Sequence, residues 1–128
     1  MDEILFVSED AMKGAYTFEP DAYFYKGHFK GNPITPGVIL TECMAQIGLV
    51  CFGIYLLNGE TISEKSTFAL SSTEIDFYLP VYPGEKVFVV SEKIYFRFQK
   101  LKCKVKMLNA KEEVVAKGTI SGMIFKRE

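Results

Sequence analysis

The spacing of hydrophobic positions along the chain changes twice. From Val38 to Leu57 the run is almost continuously apolar, interrupted chiefly by Thr41, Glu42, Gln46, Gly48 and Gly53. A segment that is apolar on nearly every side reads as a buried helix, and Asn58-Gly59 is a helix-ending pair. Before it, Glu3 to Ser8 and Gly14 to Phe18 have the length and residue types of short strands, and Glu19-Pro20-Asp21 turns the chain into the aromatic patch Tyr23-Phe24-Tyr25. After it the pattern is strand-like to the end. Thr67 to Tyr78 is one extended run, Val81 to Gly84 a turn, and Lys86 to Phe98 a segment rich in Val, Phe, Ile and Tyr. Lys102 to Met107 alternates strictly, which turns the lysines to water and Cys103, Val105 and Met107 inward. Asn109 to Glu112 is a loop, and Val114 to Phe125 the last strand, on which Ala116, Gly118, Ile120 and Gly122 share a face small enough for a helix to lie close. One buried helix with an antiparallel sheet curled around it is an α+β arrangement. With no internal repeat and no linker, residues 1–128 read as one domain.

Composition narrows the function classes. The chain is 48% hydrophobic with a formal net charge of −1, which favours neither disorder nor electrostatic binding to nucleic acid. Cys43, Cys51 and Cys103 form no CxxC pair, and a single histidine leaves no second imidazole for a metal set; no metal or cofactor site is readable. An odd, scattered cysteine count fits a reducing cytoplasm. The acidic opening lacks the basic start of a signal peptide. A membrane span is the competing reading of residues 38–57, since about 20 apolar residues suffice. Glu42 and Gln46 inside the run, and the strands that follow, argue against it.

The chemistry concentrates between Tyr25 and Gln46. Pro33 and Pro36 stiffen the approach to the helix. Thr35 is placed to cap it, with Pro36 at the first helical position and Gly37 and Val38 following with N–H groups that have no acceptor inside the helix. Such donors, backed by the helix dipole, suit a developing oxyanion. Gly37 has no Cβ to keep a carbonyl away. His28 is the chain's one histidine, and Glu42 and Gln46 are one turn apart on the same helical face. Taken singly these are ordinary: a loop histidine is more often solvated or a packing element, and a helical glutamate as readily reaches a surface or a lysine. Their conjunction carries the weight, because a buried carboxylate without a partner costs several kcal/mol.

Gly27-His28-Phe29, Gly31, Pro33, Pro36-Gly37-Val38, Glu42, Ala45 and Gln46 resemble the GHFPGxPxxPGVxxxExxAQ signature of the FabZ-type 3-hydroxyacyl-acyl carrier protein dehydratases. Asp76 to Glu85 (DFYLPVYPGE) resembles the same family's VKFRxPVxPGD segment. The resemblance runs from about Tyr16 to the C-terminus, with Lys30 standing where proline is usual. It implies a hotdog fold and the removal of water from a 3-hydroxyacyl thioester in fatty-acid or related acyl or polyketide biosynthesis. In that reading His28 is the base that takes the C2 proton. Gly37 N–H at the helix start, beside Val38, holds the enolate-like oxygen. Glu42, in apolar surroundings that favour keeping a proton to give, delivers it to the departing hydroxyl, and Gln46 orients Glu42 or the water. The resemblance further implies a homodimer, admits a trimer of dimers, and sets His28 of one subunit opposite Glu42 of the other. The partner it implies is an acidic acyl carrier protein bearing a phosphopantetheine-linked chain, for which Lys26, Lys30, Arg97 and Lys100 are rim candidates.

Three alternatives stay open. A FabA-type dehydratase–isomerase usually has aspartate where Glu42 stands and cysteine where Val38 stands. A hotdog thioesterase would hydrolyse the thioester without normally carrying this loop. A non-catalytic acyl-carrier-binding subunit would gain nothing from an ionisable pair such as His28 and Glu42.

Overall fold

The computed structural model describes residues 3–19, 35–53 and 66–126. The elements run β1 (Glu3–Val7), β2 (Ala11–Thr17), α1 (Gly37–Ala45), a π-turn (Gln46–Cys51), β3 (Ser66–Phe77), β4 (Lys86–Arg97), β5 (Lys100–Leu108) and β6 (Val114–Lys126). The strands form one six-stranded sheet in the order β1-β2-β4-β5-β6-β3, and every neighbouring pair is antiparallel. β1 and β3 are its edges. Helix α1 and the π-turn lie across one face of the sheet, α1 touching β3 and β5, the π-turn touching β2, β4, β5 and β6.

Period-two alternation explains which side faces the helix. On β5, Leu101, Cys103, Val105 and Met107 are buried while Lys104 and Lys106 are exposed, as the alternation in the sequence requires. On β4, Val87, Val89 and Ser91 point inward. These side chains meet Leu40, Met44, Ile47, Leu49 and Phe52 in one core with Met12, Phe18 and Ile120. At about 2 kcal/mol for each large apolar side chain taken from water, this layer is what holds the helical segment to the sheet.

The small positions on β6 divide between two tasks. A Cβ at Gly122 would lie 2.5 Å from Leu49 Cδ2, so this glycine does admit the helix layer. A Cβ at Gly118 would instead overlap the backbone of Glu74, so that glycine admits the neighbouring strand β3. The turn after β3 also follows the sequence: Glu85 N–H donates to Tyr82 O at 3.1 Å, and Gly84 takes the left-handed conformation at φ 84°.

The helical run departs from expectation in three ways. It starts at Gly37 and passes from α to π winding after Ala45, rather than continuing as one α-helix; residues 54–57 and Asn58-Gly59 lie outside the described residues. It is not buried on every side either. Val38, Glu42 and Gln46 form an exposed stripe opposite buried Leu40 and Met44. The apolar residues in the run fill the core face and flanks, and the sheet covers only that side. Nor is Thr35 the cap. Pro36 holds the N-cap position at φ −59° and ψ 146°, without a side-chain cap bond. Thr35 lies one residue before the cap, its N–H donating to Val81 O at 2.7 Å. Among the described residues no helix is long and apolar enough to cross a membrane.

Candidate functional site

The site is built around the first turn of α1. The Thr35–Val81 bond ties the helix start to the loop after β3, and Ile39 and Leu40 N–H both donate to Pro36 O, at 3.0 and 3.2 Å. That arrangement leaves Gly37 and Val38 N–H as the first donors of the helix, with no acceptor inside it. The Thr41 hydroxyl donates back to Gly37 O at 3.0 Å, stiffening the turn. Val38 is 73% exposed.

Gly37 has a neighbour that its own sequence context does not announce. A Cβ built on Gly37 would lie 3.4 Å from Phe77 Cζ and 3.6 Å from Cε1 and Cε2. The ring of Phe77, the last residue of β3, therefore walls the helix start on one side while remaining 48% exposed. A group presented to Gly37 N–H would pack along that ring. Leu79 and Tyr82, from the loop pinned to Thr35, add exposed apolar surface nearby in sequence.

Glu42 and Gln46 stand further along the helix on its exposed side. The structure brings them onto one stripe with Val38, as i, i+4 spacing requires. Two expectations change here. Glu42 does not sit in apolar surroundings within a single chain; it faces outward, because the sheet covers only the opposite side of α1. Gln46 is also not bonded to Glu42 through its side chain; the link is through the backbone, Gln46 N–H donating to Glu42 O and Cys43 O. His28, Lys26, Lys30 and the aromatic patch Tyr23-Phe24-Tyr25 lie outside the described residues. Arg97 and Lys100 flank the β4–β5 hairpin, a full strand length from the helix start, where Arg97 stacks on Tyr95 at 4.7 Å.

Beneath the stripe lies a polar contact in the core. Ser91 Oγ, fully buried on β4, donates to Gly48 O of the π-turn at 2.8 Å. A serine among inward valines was the available signal: a buried hydroxyl needs a partner, and here the partner is a helix carbonyl. Cys103, next to it, is pushed up from 9.0 to about 11 by burial, an effect that Ser91 and Lys93 partly oppose. Burial also raises Cys51. Among the described residues no group of three His, Cys, Asp or Glu could hold a metal ion.

A FabA-like domain matches residues 1–122. The chain is 33% identical over 116 residues to the 3-hydroxyacyl-[acyl-carrier-protein] dehydratase FabZ of Wolbachia sp. subsp. Drosophila simulans (strain wRi), covering 89% of this chain and 74% of that one. It is 31% identical over 127 residues to the dehydratase of the same name from Streptococcus suis (strain 98HAH33), covering 97% and 82%. Among solved structures, a thioesterase of Haemophilus influenzae superposes with a TM-score of 0.67 at 13% identity, covering 97% of this chain and 78% of that one. This last likeness is one of fold, and it fits the hotdog arrangement of one helical layer and a curled antiparallel sheet. Matched by the domain along nearly its whole length and by full-length relatives in sequence, the chain belongs to the FabA-like family.

Proposed function

We propose that this chain is a hydro-lyase that removes water from 3-hydroxyacyl thioesters carried on acyl carrier protein, giving the trans-2-enoyl product, and that residues 1–128 work as a single hotdog dehydratase domain. The observation that carries the reading is the pairing of an open helix start at Gly37 with an outward stripe bearing Glu42 and Gln46, in a chain of the FabA-like family. Dehydration needs three things at once: a base for the C2 proton, a donor for the enolate-like oxygen and an acid for the C3 hydroxyl. His28 supplies the base as neutral imidazole. Gly37 N–H, with Val38 N–H beside it, holds the oxygen; a donor of this kind is worth about 3 kcal/mol in the transition state. Glu42 gives a proton to the leaving hydroxyl, and Gln46 orients the departing water.

The reading includes a homodimer. β3 is a twelve-residue strand at the edge of the sheet, with one side unpaired among the described residues, and unpaired edges are templates for pairing with another chain. A partner seated there would cover the Glu42 stripe, supply His28 from the other subunit and form an acyl channel between the two; three such dimers could assemble further. The carrier, an acidic protein, delivers its chain in the cytoplasm.

Mass spectrometry of a 3-hydroxyacyl-acyl carrier protein incubated with the chain tests this. Loss of one water, abolished by His28→Ala and by Glu42→Gln, is the expected result. Release of free acid would instead identify a thioesterase. Carrier binding without any mass change across several chain lengths would leave a non-catalytic subunit.

A further inference from the structure

The helix changes its winding directly behind the Glu42–Gln46 stripe. π-turns occur mostly as single interruptions of α-helices and are frequent at functional sites. Here the sheet supplies the physical cause. Leu40 and Met44 are buried against it, and so is Phe52. At about 100° per residue, an unbroken α-helix would carry Phe52 about 120° round the axis from Leu40, off the sheet. A π-turn takes about one residue more, recovers most of that angle and returns Phe52 to the core side. The consecutive burial of Ile47, Gly48 and Leu49 marks the place, since an α-helix packed through one face does not bury three residues in succession.

What holds the turn is equally local. Ser91 Oγ donates to Gly48 O at 2.8 Å, with Ser91 fully buried. A Cβ on Gly48 would lie 2.9 Å from Val105 Cγ1 and 3.3 Å from Ser91 Cβ, so glycine is what lets the carbonyl come within reach of the hydroxyl. Gln46 is both the first residue of the π-turn and the residue whose N–H closes the last α-turn on Glu42. The direction of the Glu42–Gln46 stripe is thus tied by backbone geometry to the point where Gly48 meets Ser91.

We infer that Ser91 is a positioning residue: by holding the Gly48 carbonyl it locks the π-turn and so fixes the direction in which Glu42 and Gln46 face. Its importance for turnover rests on the dehydratase reading above; the phase lock itself does not. A relaxed turn would let α1 rotate about its axis and swing the stripe away from its outward position.

The test compares wild type, Ser91→Ala and the near-isosteric Ser91→Cys, each at a temperature where circular dichroism shows it folded. Ser91→Ala is expected to lower kcat about 10-fold with KM changed by less than about twofold, because small misplacement of reacting groups is costly while ground-state binding is retained. Ser91→Cys, a weaker donor, should fall between. A second readout needs no turnover: in the Leu70→Lys background, chosen to keep the stripe uncovered by a second copy, alkylation of Gln46→Cys, followed by peptide mass spectrometry, should slow severalfold when Ser91→Ala is added. Unchanged kcat and KM in variants that are merely less heat-stable would make Ser91 a structural prop and overturn the inference. If Ser91→Ala does not fold, Ser91→Cys decides by the same criteria. If wild type turns nothing over, the dehydratase reading fails and the alkylation pair alone decides, an unchanged rate overturning the phase lock.

Discussion

Gly37→Ala separates the chemistry proposed for the helix start from the packing around it. The added methyl would lie 3.4 Å from Phe77 Cζ and 3.6 Å from its Cε atoms, ordinary contact distances that ask nothing of the ring. The backbone permits it too: Gly84 is the glycine with positive φ among the described residues, and Gly37 is not. In a helix interior the exchange would gain about 1 kcal/mol from propensity; in the first turn the gain is smaller, so folding stability should stay level or rise slightly. Activity should move the other way. The oxygen of the thioester must come within about 3 Å of the donor, and the methyl stands on the carbon next to that N–H. Losing such a donor costs about 100-fold to 1,000-fold in kcat, about 3–4 kcal/mol. The assay is kcat and KM for water loss from a 3-hydroxyacyl carrier substrate, alongside thermal melting of the same preparations. Wild-type kcat in Gly37→Ala would refute the close approach to Gly37. A lowered melting temperature would refute the packing described for Phe77.

Other expectations follow from contacts elsewhere in the fold. Gly118→Ala would place its methyl on the backbone of Glu74, forcing β6 and β3 apart; a loss of about 1–3 kcal/mol or more in urea unfolding is expected, and unchanged stability would mean that the strands do not lie this close. Leu70→Lys adds a charge to edge strand β3, where Leu70 is exposed. If β3 is the pairing edge, sedimentation velocity should show a shift from dimer to monomer, and a persistent dimer would place the interface elsewhere. Burial raises the Cys103 thiol from 9.0 to about 11, so the folded chain holds its proton more tightly than the unfolded one. The corresponding stability is fully present below pH 9 and is lost as pH rises towards 11. Denaturation between those values should show a decline that Cys103→Val reduces, and an identical decline in the variant would refute this assignment.

The sequence carried the sheet well because alternation is a local property: Lys104 and Lys106 against Cys103, Val105 and Met107 decide the inward face of β5 without knowledge of any neighbour. The position of the helical layer was legible for a similar reason, as a long apolar run between two turn-rich stretches. The details that turn on competition were not. Thr35 has the chemistry of an N-cap, but the helix starts one residue later, with Pro36 at the N-cap, and Thr35 anchors the approach through its N–H to Val81 O, more than forty residues away. The π-turn depends on which of Leu40 and Phe52 must reach the same sheet, a demand that exists only once the sheet is assembled. Phe77 belonged to a recognisable segment, yet its place over Gly37 follows from β3 running antiparallel to β6 and ending beside the helix start. His28 could be picked out as the single imidazole of the chain; its placement lies outside the described residues.

The exposure of Glu42 bears directly on the oligomer proposed above. Water competes for every hydrogen bond a leaving hydroxyl could form, and a site that excludes it strengthens the interactions within. Among the described residues of one chain the sheet covers only the far side of α1, so neither β4 nor β5 can shield the stripe. A second copy would provide cover from the side where Val38 is 73% exposed and Phe77 48% exposed, and that side is bordered by β3, the long edge strand. An apolar rim beside an unpaired edge is what a second copy would bury, and a two-fold pairing would bring each copy's stripe against the other's surface at no extra cost in sequence. On this argument the solvated glutamate and the open edge are one feature. Mutations that block β3 pairing should therefore abolish turnover together with dimerisation, leaving each folded monomer with its sheet and its π-turn intact.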